Sequence, residues 1–138
     1  MYASELDAEQ LADIRRAAAD AGLSNVTVIA GAVSRTNLPD ACCEAIFLRL
    51  VYHHLTDPEA INADLFRALR PGGRLVIIDF EPGGLLNWIS RPETAARHGG
   101  HSTPKDTVRW EVTRAGFQWR RGPEAWLGWT YAVLFRRP

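Results

Sequence analysis

Two hydrophobic periods alternate along the chain and predict the order of its elements. Tyr2 to Glu5 reads as the tail of a strand that ends in an acid. From about Asp7 to Ala21, the residues Leu11, Ile14, Ala18 and Ala21 recur at three- and four-residue spacing, the single apolar stripe of a helix. Asp7 with Gln10 has the form of a capping box, and Gly22 stands where a left-handed stop belongs. Val26 to Ala30 is short and β-branched, which predicts a buried strand. Residues 31–43 carry the turn formers Asn37, Pro39 and Asp40 and predict a loop. Ala45 to Tyr52 is a near-continuous apolar run, the pattern of a strand buried on both faces.

A second helix is expected from Thr56 or Asp57, with a Thr56–Glu59 capping box, Pro58 in the first turn and a stripe of Ile61, Leu65 and Leu69. Pro71-Gly72-Gly73 should stop it, and Arg74 to Phe80 should form another buried strand. Between 81 and 102 the periodicity lapses into a lid, a loop or a short helix around Leu85–Ile89. Thr103 then caps a helix with Pro104 at its first position, ending at Gly116. Phe117 to Arg120 reads as a strand, and Trp129, Tyr131, Val133 and Phe135 alternate as a last strand with one buried face. Strands alternating with helices imply crossovers and a mostly parallel sheet. The short connection around Gly122-Pro123 makes the last two strands an antiparallel pair. The expected fold is therefore α/β, a Rossmann-like doubly wound mostly parallel sheet with a C-terminal antiparallel strand pair, in one domain spanning 1–138.

Composition changes this picture little. The chain has 138 residues and zero formal net charge, with no global pull toward nucleic acid or membrane. Charge is uneven, however: residues 1–69 hold five Arg against ten Asp and Glu, and residues 70–138 hold eleven Arg and Lys against six acids. Solvated faces account for this; an anion-attracting second half is the sharper reading. No apolar run reaches the roughly 20 residues of a membrane helix. The start of the chain has neither the basic nor the apolar region of a signal peptide. Cys42 and Cys43 are adjacent and are expected not to bridge, which fits a cytoplasmic protein.

Several local motifs carry a resemblance. They are Tyr2-Ala3-Ser4-Glu5-Leu6-Asp7, Leu38-Pro39-Asp40-Ala41 followed by the run 45–55, Asp57-Pro58, the block ALRPGGRLVIIDF at 68–80, and GFQW at 116–119. Together they resemble a class I S-adenosylmethionine-dependent methyltransferase of the type 11-like kind, near the ubiquinone and menaquinone C-methyltransferases. The resemblance implies S-adenosylmethionine as cofactor and a small-molecule acceptor; the balanced charge and the lack of a membrane-length apolar run point to neither nucleic acid nor membrane as partner. It implies that Glu5 binds the cofactor ribose, with Leu6 against the adenine. Gly31, Ala32 and Val33 stand where the family usually has an acid near the adenine amino group, and Ala32 offers no side-chain acceptor. Leu48 and Arg49, at the end of the next strand, are implied pocket residues.

The family's first strand and its D-x-G-x-G turn precede the acid-tipped strand, and nothing here matches them. That strand is central in the family's sheet. The expectation is a gap between the Tyr2–Glu5 and Ala45–Tyr52 strands, or a rearranged pairing, together with cofactor binding that is weak or absent.

His53 and His54 follow a strand into the crevice where parallel sheets bind ligands, which makes them candidate general bases. Each candidate has a plainer reading: Glu5 as an exposed strand-end acid, Leu6 as packing, Arg49 as a surface arginine, and the histidines as packing or capping groups. His98 and His101 add no zinc spacing, and no metal is expected. A non-catalytic remnant or interaction module of the same fold is the first alternative, and a nucleotide-dependent oxidoreductase fragment is the second.

Overall fold

A computed structural model describes residues 1–81, 102–120 and 130–138. The elements follow the expected order: β1 (Tyr2–Glu5), α1 (Ala8–Asp20), β2 (Thr27–Ala30), β3 (Cys43–Arg49), a 3-10 turn (Tyr52–His54), α2 (Pro58–Ala68), β4 (Leu69–Phe80), α3 (Lys105–Arg114), β5 (Gln118–Arg120) and β6 (Thr130–Arg136). Trp129, the Gly122-Pro123 connection and residues 82–101 lie outside the described residues.

The strands form two sheets. β1 pairs with β2 in parallel, and a separate four-stranded sheet has the order β3-β4-β6-β5. β3 and β4 are parallel, while β6 runs antiparallel to both β4 and β5. The antiparallel end and the gap between β1 and β3 are both as expected from the sequence.

Local chemistry explains the helix limits. Asp7 accepts from the amides of Glu9 and Gln10 at the start of α1, and Gly22 (φ 65°) closes its end. Asp57, not Thr56, caps α2 by accepting from Ala60 N, with Pro58 in the first turn. Leu69 continues the apolar stripe in sequence but not on the helix. The chain leaves α2 at Ala68, and β4 begins at once with Pro71-Gly72-Gly73 inside it. The extra residues appear as a register shift between Cys43 and Ala45 on β3. Thr103 does not cap α3. Pro104 is the N-cap residue, and the Thr103 carbonyl instead accepts from Tyr131 Oη at 2.8 Å.

The core lies between the four-stranded sheet and helices α2 and α3. Leu75 and Ile77 of β4, with Val133 and Phe135 of β6, pack against Leu65, Val108 and Val112. Phe117 joins them through an edge-on contact with Phe66. The opposite face is more open, contrary to the expectation of a β3 buried on both sides. Phe47 is 58% exposed and Ala45 is exposed. Among the described residues α2 and α3 cover one face only, and α1 packs on β1 and β2.

A further correction concerns the cysteines. Cys42 and Cys43 form a vicinal disulfide across a Cα–Cα distance of 3.7 Å. It follows the turn in which Ala41 takes positive φ.

Candidate active site

The first group of candidate residues gathers at the carboxyl ends of β1 and β2. Glu5 Oε1 accepts from the amides of Leu6 (2.6 Å) and Asp7 (3.0 Å), so the turn into α1 holds the carboxylate. Its Oε2 makes no hydrogen bond among the described residues. Gly31 N donates to Glu5 O at 2.8 Å. A Cβ on Gly31 would meet Ser4 Oγ at 3.0 Å, so a larger residue there would require the Ser4 side chain to give way. Leu6 is 58% and Val33 55% exposed, and Ala32 forms a tight turn with Arg35 beside them.

The second group lies on the other sheet. Leu48 packs against the core and Arg49 is exposed, so the two neighbours point to opposite faces of β3. The chain then turns at Leu50, whose φ of 56° is costly for a branched side chain, and Leu50 N donates to Ile78 O at 2.8 Å. This turn delivers Tyr52 and His53 to the end of β4.

His53 is buried there against Asp79, which has no exposure at all. The Nδ1 atom of His53 lies 2.6 Å from Asp79 Oδ1, and its backbone N donates to Oδ2 at 3.0 Å. Phe80 N also donates to Oδ1, at 2.7 Å. An ionised carboxylate only accepts, which assigns the imidazole proton to Nδ1 and leaves the lone pair on Nε2. Nε2 makes no hydrogen bond among the described residues. His54 is exposed, its ring centroid 3.9 Å from that of His53, and no carboxylate among the described residues holds it. The geometry thus separates two histidines that sequence alone treats alike.

Behind His53 is a buried polar chain. Asn62 Nδ2 donates to Tyr52 Oη at 2.8 Å, and Tyr52 Oη donates to Glu111 Oε2 at 2.8 Å. Burial, together with the neighbouring Glu111, pushes the Tyr52 phenol far above its ordinary range, and burial beside Asp79 does the same for Tyr131. Both hydroxyls therefore stay protonated. Asn62 Oδ1 is buried without a partner among the described residues.

Sequence reasoning missed Asp79, Tyr52, Asn62 and Glu111. A signal for Asp79 was present: an acid closing an apolar strand, the same pattern that singled out Glu5.

The sequence of a methyltransferase-domain family matches residues 1–77, more than half of the chain. The chain belongs to this family of methyltransferase domains. Its fold is that of class I S-adenosylmethionine-dependent methyltransferases. A curated relative, the demethylmenaquinone methyltransferase of Deinococcus radiodurans, is 32% identical over 84 residues, covering 59% of this chain and 35% of its own length. The chain therefore spans about a third of that relative. Among solved structures, a SAM-dependent methyltransferase from Aquifex aeolicus superposes with a TM-score of 0.78 at 23% identity, over 98% of this chain and 67% of that one. A SAM-dependent methyltransferase from Methanosarcina mazei gives 0.76 at 14% identity, over 99% and 81%. These structural likenesses establish the fold. Among the described residues, no helix is long and apolar enough to cross a membrane.

Proposed function

We propose that residues 1–138 act as one domain that transfers a methyl group from S-adenosylmethionine to a small-molecule hydroxyl or carbon acid, with His53 as general base. The observation that carries this reading is the buried His53–Asp79 pair at the carboxyl end of β4. When bound, the cofactor supplies a methyl group on a sulfonium, already activated for displacement. Glu5 fits its ribose, because Oε1 is fixed by two amides and Oε2 is left to accept from a hydroxyl. Gly31 lets a ligand approach the backbone, and Leu6, Ala32 and Val33 offer apolar surface beside it. Arg49, exposed at the end of β3, borders the acceptor side, and Leu48 supports it from the core.

Asp79 holds the His53 ring in one orientation and one tautomer. His53 Nε2 takes the acceptor's proton as the acceptor's oxygen or carbon takes up the methyl group. The carboxylate then stabilises the imidazolium until the proton passes to solvent. Proximity and orientation supply the rest of the acceleration.

The test is methyl transfer to demethylmenaquinone and to a panel of phenolic and hydroxylated small molecules. His53→Ala should lower turnover about 10²–10⁴-fold while leaving S-adenosylhomocysteine affinity unchanged. Unchanged turnover in that variant refutes the base assignment. A second reading, a non-catalytic module of the same fold, draws support from the break between β1 and β3. Calorimetry with S-adenosylhomocysteine separates the two, since a module without cofactor function gives no binding heat.

A further inference from the structure

We propose that Arg74 and Arg136 form a binding site for a phosphate-type oxyanion, on the face of the sheet away from His53 and Asp79. The two arginines are direct cross-strand partners in the β4–β6 ladder. Like charges placed opposite one another in an antiparallel pair destabilise it. Neither side chain makes a hydrogen bond or ion pair among the described residues.

Among the described residues, the arginines beside them at this end of the sheet are engaged. Arg67 holds Asp64 and Asp40, Arg70 holds Glu44 and the Ala41 carbonyl, and Arg137 donates to the Leu69 carbonyl while stacking on Phe66. Arg74 and Arg136 are left facing each other across one open cavity of about 630 Å³, which they line with Glu44, Arg70, Gly72 and Gly73. Gly72 matters to its shape. The Arg136 guanidinium lies over it, and an added Cβ would meet Nη2 at 3.3 Å.

The three arginines less Glu44 give the lining a net charge of +2, which matches the charge of up to about −2 on a phosphate monoester near neutrality. Guanidinium pairs suit such oxygens because each can donate two parallel N–H groups. The site is separate from the methyl-transfer groups. Arg74 and Asp79 are five residues apart on β4, about 17 Å along the strand, and their side chains face opposite ways. It rests on neither reading of the function.

The experiment is titration of the full chain with inorganic phosphate and with glycerol phosphate, followed by thermal unfolding and amide chemical shifts, with chloride at matched ionic strength as control. Saturable stabilisation is expected, with shifts centred on Gly72 to Arg74 and Arg136. Tight binding of glycerol phosphate assigns the site to a monoester; binding of inorganic phosphate alone assigns it to the free anion. Arg74→Gln or Arg136→Gln should each weaken binding about tenfold or more, and the double variant should abolish it. In phosphate-free buffer the double variant should be at least as stable as the parent, because the repulsion is gone. No saturable binding of either ligand, equal binding by the double variant, or failure of that variant to fold would each overturn the proposal.

Discussion

Replacing Asp79 by Asn tests the His53 arrangement without changing its volume. The carboxylate accepts three hydrogen bonds, from His53 N, His53 Nδ1 and Phe80 N, and it is wholly buried. An amide offers one acceptor and one donor. Placed at Oδ2, its NH₂ meets the His53 amide; placed at Oδ1, it meets the Phe80 amide. Either way a buried N–H faces a donor and a charge-assisted bond is lost. Hydrogen bonds to charged groups are each worth about 1.5–3 kcal/mol, and a stranded buried donor adds about 1–3. A loss of about 3 kcal/mol is therefore expected, a large share of the roughly 5–15 kcal/mol that holds a domain together. Urea denaturation of the parent and the variant measures it. Nitrogen NMR of the imidazole supplies the independent readout: with the NH₂ at the Oδ1 position the proton leaves Nδ1 for Nε2, and with it at the Oδ2 position the proton stays and the His53 amide loses its acceptor. A change below about 1 kcal/mol would refute the reasoning, because Asp79 would then not be a structural acceptor.

Other consequences can be checked on the same protein. Tyr52→Phe removes the hydroxyl that takes Asn62 Nδ2 and donates to Glu111, and should destabilise by about 1–3 kcal/mol in the same denaturation assay. Gly116→Ala sets a side chain at φ 101° and 3.1 Å from the Phe66 ring, so the thermal midpoint should fall by several degrees. Asp64 is desolvated by burial, but hydrogen bonds from Thr36 and Arg67 outweigh this and hold its carboxyl below the ordinary value. A depressed carboxyl stabilises the fold above its unfolded pKa of about 3.9 and loses that contribution as pH falls through the folded value. Hydrogen exchange in acid should therefore open β1 and β2 before β4.

Much of the fold was legible because the periods are clean and the punctuation is strong. Asp7, Gly22, Asp57-Pro58 and the apolar run in β4 each set a boundary by local chemistry. The failures have one physical source, tertiary context. Leu69 fits a helical stripe, yet the chain leaves α2 before it to pair with Cys43. Thr103 is a good cap by type, but α3 begins one residue later, with Pro104 as its N-cap residue. The apolar residues of β3 predict cover on both faces, and periodicity cannot say whether a helix lies over the second one. The site was half legible. A strand-end acid and a histidine after a strand are local signals, whereas the His53–Asp79 contact spans 26 residues. The Tyr52–Glu111 contact spans 59, and only the fold brings those pairs together.

The division of the strands into two sheets bears directly on the proposed methyl transfer. Glu5 and Gly31 belong to β1 and β2, whereas His53 and Asp79 belong to the sheet built on β3 and β4. Within one continuous sheet, ladder hydrogen bonds fix neighbouring strands about 4.8 Å apart. No ladder joins β1 or β2 to β3 here. The segment between the sheets is instead fastened to α2. Thr36 donates to Asp64 through both its amide and its hydroxyl, Arg67 donates to Leu38 O at 2.7 Å, and Ala41 N donates to Arg67 O at 3.0 Å. Methyl transfer by positioning loses rate steeply when the reacting atoms are misplaced by about 1 Å. On the proposed function, the spacing between a cofactor at Glu5 and an acceptor near His53 would depend on Asp64 and Arg67, which contact the segment between the two sheets. Their side chains connect the two halves of the site in place of the backbone ladder.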